Sequence, residues 1–312
     1  MSTISIVVPC YNEAESLPIF VTEVKKVIDT LQKDVAEIIM IDDGSEDATL
    51  EVMRQLARED ERVHYVSFSR NFGKESAMLA GLARAKGDYV AVMDADLQDP
   101  PSLLPEMLKV VRDEGFDCAG TRRVTRVGEP VIRSLFARLF YRCINLMSAT
   151  KLVDGARDYK LLSRKVVDAL LAMPEYNRFS KGLYEWVGFR TKWLEYENVE
   201  RVAGQTKWSF WKLLKYALEG IISFSTAPLA LASLLGISFM ALAMGSIITL
   251  CLRQYIWHSS VDGWTSMVSI LLLISGVQLF CLGIFGQYLA RLYMEVKHRP
   301  HYIIAEQSGK QS

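Results

Sequence analysis

Over residues 1–121, short apolar runs rich in β-branched residues alternate with longer stretches of helical period. Residues 4–8 (Ile-Ser-Ile-Val-Val) form the first run. It is closed by Pro9-Cys10-Tyr11-Asn12-Glu13, and a helical pattern then continues to about Leu31. Residues 38–41 form a second run ending in Asp42-Asp43-Gly44-Ser45, where Ser45 to Asp47 can cap the next helix. Residues 63–68 make a third, leading into Arg70-Asn71-Phe72-Gly73-Lys74 and another helix. The fourth, residues 88–93, ends in Asp94-Ala95-Asp96 with Gln98 two positions on, and Pro100-Pro101 open the helix after it. A fifth ends at Ala119-Gly120-Thr121. This alternation predicts an α/β domain with a mostly parallel sheet and helices on both faces. The acids recur at strand ends and therefore share the carboxyl edge, where open α/β sheets bind ligands.

The last third is patterned differently. No charged residue occurs in 220–252 or in 263–290, and each run exceeds the ~20 apolar residues that cross a bilayer. Two transmembrane helices joined as an antiparallel hairpin are expected; the alternative is a pair of buried helices in a soluble core. Arg201, Lys207, Lys212 and Lys215 precede the hairpin and Arg291, Lys297, Arg299 and Lys310 follow it, against Arg253 alone in the connector. That bias places both flanks in the cytoplasm. Residues 207–218 mix Trp208, Trp211 and Leu214 with Lys212 and Lys215, as an interfacial amphipathic helix does. Residues 132–147 carry Arg133, Arg138 and Arg142 among Phe136, Leu139 and Phe140, a pattern open to lipid or to an ordinary surface helix. The expected organisation is a cytoplasmic domain at 1–200, a juxtamembrane segment at 201–222, membrane helices at 223–252 and 265–290 around an external loop at 253–264, and a cytoplasmic tail at 291–312.

Composition removes several alternatives. Among 312 residues, 36 Lys and Arg balance 36 Asp and Glu, which argues against a nucleic-acid surface. Five scattered cysteines without a Cys-x-x-Cys pair argue against zinc or a disulfide framework. The four histidines lie outside the motifs, and the amino terminus reads as a strand, so no cleaved signal is expected. Two carboxylates at positions i and i+2 after a strand are hard oxygen ligands. They suit Mg²⁺ or Mn²⁺ carrying a diphosphate, although alone such a triplet also fits a polar turn.

Taken together, Val8-Pro9-Cys10-Tyr11-Asn12-Glu13, Ile41-Asp42-Asp43-Gly44-Ser45, Arg70-Asn71-Phe72-Gly73-Lys74 and Asp94-Ala95-Asp96-Leu97-Gln98-Asp99-Pro100 resemble the family 2 glycosyltransferases of the GT-A type. Met173-Pro174-Glu175, Lys181-Gly182, Trp186-Val187-Gly188, Arg201 with Gly204-Gln205-Thr206-Lys207, and the run from Glu219 to Pro228 extend the resemblance. Within that family it is strongest to polyprenyl-phosphate glycosyltransferases, especially bacterial bactoprenol glucosyltransferases, and weaker to dolichol-phosphate mannose synthase. It implies an inverting transfer of a hexose, glucose from UDP-glucose, onto undecaprenyl phosphate at the bacterial cytoplasmic membrane. Galactose, N-acetylglucosamine, mannose or a modified arabinose would use the same motifs. It further implies a homo-oligomer, a downstream flippase and a second glycosyltransferase as partners, and O-antigen or another envelope glycan as destination.

By the same resemblance, Pro9, Tyr11, Glu13, Asp42, Asp43, Asp94 and Lys74 form the nucleotide-sugar pocket. Asp96, Asp94 and Gln98 hold the metal, while Arg122, Arg133, Arg201 and Lys207 take the acceptor phosphate or the diphosphate. For Asp42 and Asp43 a turn and capping role is the competing reading. Asp158 matches the acid of a Gly-Asp-Phe-Arg-like pattern near the reacting centre, as sugar orienter or as base. Here Arg157 stands where glycine is usual and Lys160 where arginine is usual, so a different loop geometry is expected. A processive synthase would carry a Gln-x-x-Arg-Trp motif, and a transporter would need polar groups within its helices. A non-catalytic membrane-anchored scaffold has no use for both acids of Asp94-Ala95-Asp96.

Overall fold

The computed structural model describes residues 2–31, 35–123, 153, 155–196, 225–257 and 263–309. Strands β1 (Thr3–Cys10), β2 (Val35–Asp42), β3 (Val63–Phe68) and β4 (Tyr89–Val92) alternate with helices α1 (Leu17–Thr30), α2 (Thr49–Glu59) and α3 (Lys74–Arg84), as the apolar runs predict. A 3₁₀ turn at Pro101–Leu103 opens α4 (Leu104–Arg112), and β5 (Cys118–Arg123) follows. Beyond these come β6 (Ala156–Ser163), α5 (Arg164–Leu171), α6 (Ser180–Trp186) and β7 (Thr191–Tyr196). Two long helices, α7 (Ala227–Trp257) and α8 (Trp264–Val296), precede a short final strand, β8 (Ile304–Gln307).

All eight strands form one sheet in the order β7-β5-β6-β4-β1-β2-β3-β8. The sheet is mixed: β6 runs against β4 and β5, and β8 runs against β3, while the remaining strands share one direction. Successive residues of a strand face opposite sides, and both sides here are covered. Ile4, Ile6, Val8, Ile38 and Met40 pack with Phe20, Met53 and Met107 on one face. Val7, Ile39, Ile41 and Val66 pack with Met78, Val166 and Leu183 on the other. Burial on both faces is why these strands read as unbroken apolar runs. Gly81 lets α3 settle on β1, since a Cβ there would stand 2.1 Å from Val7 Cγ1.

Helices α7 and α8 contain spans long and apolar enough to cross a bilayer, Ala227–Ser246 and Leu273–Val296. Most of their described side chains lie outside the core: Leu234, Met240, Leu279 and Leu282 are all exposed. That removes the alternative of two buried helices in a soluble core. The helices lean on each other, with the Tyr288 hydroxyl donating to the Ser225 carbonyl at 2.6 Å. Both run past the spans expected from sequence, by several residues at their carboxyl ends.

Part of the segment expected as a tail, 291–312, joins the sheet. After α8, Tyr302 stacks on Phe68, with ring centroids 4.9 Å apart. The Ser69 amide donates to the Ile303 carbonyl, and β8 then pairs along β3. Arg54 grips both Glu306 oxygens through Nε (2.9 Å) and Nη2 (2.6 Å), and the Tyr65 hydroxyl donates to the same carboxylate at 2.6 Å. At the foot of α8, Glu295 accepts from the Tyr176 amide at 2.9 Å. The amphipathic segments 132–147 and 207–218, with Arg133, Arg201 and Lys207, lie outside the described residues.

Candidate active site

The loops after β1 and β2 clasp each other at the carboxyl edge. Asn12, at φ 57°, donates its amide to Ser45 Oγ (3.0 Å) and accepts the Glu46 amide through Oδ1 (2.9 Å). The Glu13 amide donates to Thr49 Oγ1 at 2.9 Å. Tyr11 stands exposed at the rim of this clasp, and Glu13 turns its carboxylate to Ser16 Oγ at 2.5 Å. Gly44 is required: its φ is +65°, and a Cβ there would stand 2.3 Å from the Arg70 carbonyl carbon.

Asp42 and Asp43 are both buried and both hold loops. Asp42 accepts the Ser45 amide (3.0 Å) and the Ser67 hydroxyl (2.7 Å). Asp43 accepts the amides of Phe72 (2.7 Å) and Gly73 (2.9 Å), so it shapes the turn that delivers Lys74. Burial pushes the Asp43 carboxyl above its usual range, with those two amides opposing. These are the turn contacts weighed for the pair at the outset; a carboxylate oxygen has a second lone pair left for a ligand.

Lys74, the first residue of α3, is the junction of the site. Its Nζ lies 2.7 Å and 2.9 Å from the two oxygens of Asp94 and 2.5 Å from Asp158 Oδ2. Lys181, on α6, approaches the other Asp158 oxygen at 3.8 Å. Burial disfavours the Lys74 ammonium, but Asp158 and Asp94 outweigh it and hold the lysine above its ordinary range. Burial also works against the Asp158 anion, yet Lys74 and Lys181 hold its carboxyl well below the usual carboxylate range. Asp94 moves the other way: burial, with Asp158 beside it, raises its carboxyl beyond what Lys74 offsets. Two acids thus share one cation, Lys74, at the carboxyl edge of the sheet.

Asp158 sits on β6 rather than in a loop. The left-handed conformation falls at Gly155 (φ +78°), while Arg157 is a strand residue, so the substitution of glycine there brings no backbone strain. The Arg157 side chain instead reaches the turn after β4. Its Nε lies 3.0 Å from Asp99 Oδ1 and its Nη2 lies 3.2 Å from Gln98 Oε1. The Gln98 oxygen expected at a metal thus accepts from Arg157 and keeps a second lone pair for a ligand. Lys160 is enclosed by the rings of Tyr184 (4.4 Å) and Trp193 (4.7 Å) with Glu185 at 3.4 Å, and burial lowers its pKa from the lysine norm.

Asp96 is buried on the same turn, where its Oδ1 accepts the Gln98 amide at 3.1 Å. Among the described residues no three His, Cys, Asp or Glu side chains converge on a metal position. Asp94 and Asp96 offer two carboxylates from one turn. A divalent ion that keeps its remaining positions for water and substrate phosphates fits such a set. Arg122, on β5, is half exposed with Glu195 at 3.8 Å, and in the sheet it pairs with Ala156 on β6 and Glu195 on β7. The roles of Lys181, Glu75 and Asp99 were not expected from sequence. Glu75 accepts the Ser180 amide at 3.0 Å, fixing α6 over α3, and a lone Glu in an amphipathic helix gives no signal of that. A cavity of about 410 Å³ lined by Glu37, Arg62, His64 and Lys86 opens at the opposite edge of the sheet, away from these acids.

Residues 5–171 match the model of glycosyl transferase family 2. The chain is 45% identical over 97% of its length to CsbB of Bacillus subtilis, covering 91% of that protein, which is assigned no further than as a glycosyltransferase. It is 39% identical to the bactoprenol glucosyl transferase of Shigella phage SfV, covering 98% of this chain and 99% of that one. With a prophage bactoprenol glucosyl transferase homolog of Escherichia coli K12 the identity is 40%, over 96% and 98% of the two chains. Among solved structures, glucosyl-3-phosphoglycerate synthase from Mycobacterium tuberculosis with Mn²⁺ and UDP-glucose is 22% identical, covering 71% of this chain and 77% of that one, with a TM-score of 0.45. That likeness is too low to carry its metal or substrates across.

Proposed function

The chain belongs to glycosyl transferase family 2 and is a glycosyltransferase, and on that premise we propose that it moves glucose from UDP-glucose onto undecaprenyl phosphate with inversion. The carrying observation is the likeness to bactoprenol glucosyl transferases along the whole chain, through the acidic edge and the apolar hairpin alike. In this reading the amino-terminal domain and the residues after α8 lie on the cytoplasmic side, where β8 completes the sheet. The product serves an envelope glycan such as O-antigen.

An oxygen of the lipid phosphate bonds to the anomeric carbon as the bond from that carbon to the diphosphate oxygen breaks. UDP leaves with the electron pair. Asp94 and Asp96 would hold Mg²⁺ or Mn²⁺, which when bound offsets charge developing on the departing diphosphate. The attacking phosphate is already anionic, so the reaction asks for little base catalysis. Asp158, held as an anion by Lys74 and Lys181, is an acceptor fixed at the junction of the site. It orients a sugar hydroxyl. Arg122 receives the lipid phosphate from β5, and by the sequence resemblance Arg133 is assigned to the same phosphate and Arg201 and Lys207 to the diphosphate.

Purified protein supplied with labelled UDP-glucose and undecaprenyl phosphate should move label into the organic phase. Preference for UDP-galactose, UDP-N-acetylglucosamine or another donor would replace glucose in this reading. UDP release that ignores added lipid phosphate would remove the acceptor, and absence of turnover with every donor would leave a nucleotide-sugar-binding scaffold.

A further inference from the structure

The turn that carries Asp94 and Asp96 is held from outside by a cluster that the reaction itself does not use. Asp99, whose side chain is 1% exposed, receives Arg157 Nε at 3.0 Å and the Tyr196 hydroxyl on the same oxygen. Arg157 also donates Nη2 to Gln98. The three residues come from the turn after β4, from β6 and from the end of β7. Ala156 and Glu195, the sheet partners of Arg122, immediately precede Arg157 and Tyr196.

We propose that Asp99, Arg157 and Tyr196 are positioning residues that fix the Asp94–Gln98 turn at a set distance from the strands around Arg122, and so the donor side of the site from the acceptor side. This rests on the reading of those two sides given above. Stability is a poor reason for the cluster. A buried ion pair is commonly matched by apolar residues of similar volume, and Asp99 Oδ2 has no hydrogen-bond partner among the described residues. Geometry is a better one. Leu97 lies at φ 56°, a left-handed conformation that crowds the Cβ of an L residue and needs holding by its surroundings. The Gln98 amide tied to Asp96 and the Arg157 fork on Gln98 and Asp99 hold it from its carboxyl side. These contacts join residues 58 and 97 positions apart, so they are tertiary rather than local.

The full chain in detergent tests this by two readouts: ligand-free hydrogen–deuterium exchange of the peptide spanning residues 94–99, and UDP affinity by calorimetry with and without Mn²⁺. In Arg157→Ala, exchange at the turn should rise and the Mn²⁺-dependent gain in UDP affinity should fall about tenfold or more, as expected for loss of charge-assisted contacts. Metal-free UDP affinity should stay within about twofold. Tyr196→Phe should move both readouts the same way by less. The pair Asp99→Asn with Arg157→Gln, which can hydrogen-bond without charge, should recover much of both. Unchanged exchange at the turn in Arg157→Ala and Tyr196→Phe overturns the proposal, as does equal loss of UDP binding with and without Mn²⁺. If wild-type UDP affinity ignores Mn²⁺, the donor-side reading fails instead, and exchange at the turn still decides what the cluster does.

Discussion

The Lys74 ammonium stands 2.5 Å from a carboxylate oxygen of Asp158, joining the start of α3 to β6 across 84 positions, and its remaining reach is spent on Asp94. One cation therefore bridges two acids to which the proposed function gives different tasks. Lys74→Met should lower turnover by about a hundredfold, the cost of a misplaced reacting group. Lys74→Arg should recover part of it, because charge returns without the same geometry. Steady-state kinetics with varied UDP-sugar would check this; an unaltered kcat in Lys74→Met contradicts the bridging role.

Asp96→Asn keeps the shape of the turn and removes one anionic ligand. Turnover should fall on the order of 10²–10³-fold, comparable with the loss of one preorganised charge-stabilising group. Thermal unfolding of the variant should match that of the parent, and EDTA should reproduce its inactivity, reversed by Mn²⁺ or Mg²⁺. Full activity in EDTA would sink the metal reading.

The proposed function assigns Arg122 to the acceptor and not to the donor. Arg122→Ala should cost about 1.5–3 kcal/mol of phosphate binding, roughly tenfold to more than a hundredfold in the KM for lipid phosphate. UDP-sugar affinity should hardly change. Short-chain polyprenyl phosphates should show the same loss, since the contacted group is the phosphate; weakened donor binding with an unchanged acceptor KM would reverse the assignment.

The docking of β8 should depend on acid pH. Arg54, with Tyr65 assisting, holds the Glu306 carboxyl down at about 2. The folded form thus favours the anion, and the contribution is complete above the usual glutamate pKa and lost as pH falls from there toward about 2. Hydrogen exchange at residues 304–307 should accelerate through that window, and Glu306→Gln should flatten the dependence. Protection that is constant from pH 5 to about 2.5 in the parent would refute the link.

Strands β1 to β4 were legible because each is buried on both faces and so reads as an apolar run. Strands β6 (ARDYKLLS) and β7 (TKWLEY) were not, because charged residues at Arg157, Lys160 and Lys192 interrupt the pattern and find partners only in the folded chain. β8 has four residues and a partner more than two hundred positions away, so no local signal could announce it. Asp94 and Asp96 could be read from their place after a strand. Lys74 between Asp94 and Asp158, and Arg157 on Asp99, could not, since both arise from the register of distant strands. Arg133, Arg201 and Lys207 remain sequence expectations.

The antiparallel pairing of β8 with β3 also orders the protein's biosynthesis. Until residue 307 leaves the ribosome, β3 has no partner on its outer side, and both apolar helices emerge before that partner does. The sheet is therefore completed only by residues made after both apolar helices, and the outer edge of β3 waits unpaired by β8 through their synthesis. A ribosome stalled within α8 would hold a nascent chain with its acidic edge already encoded and its sheet still incomplete.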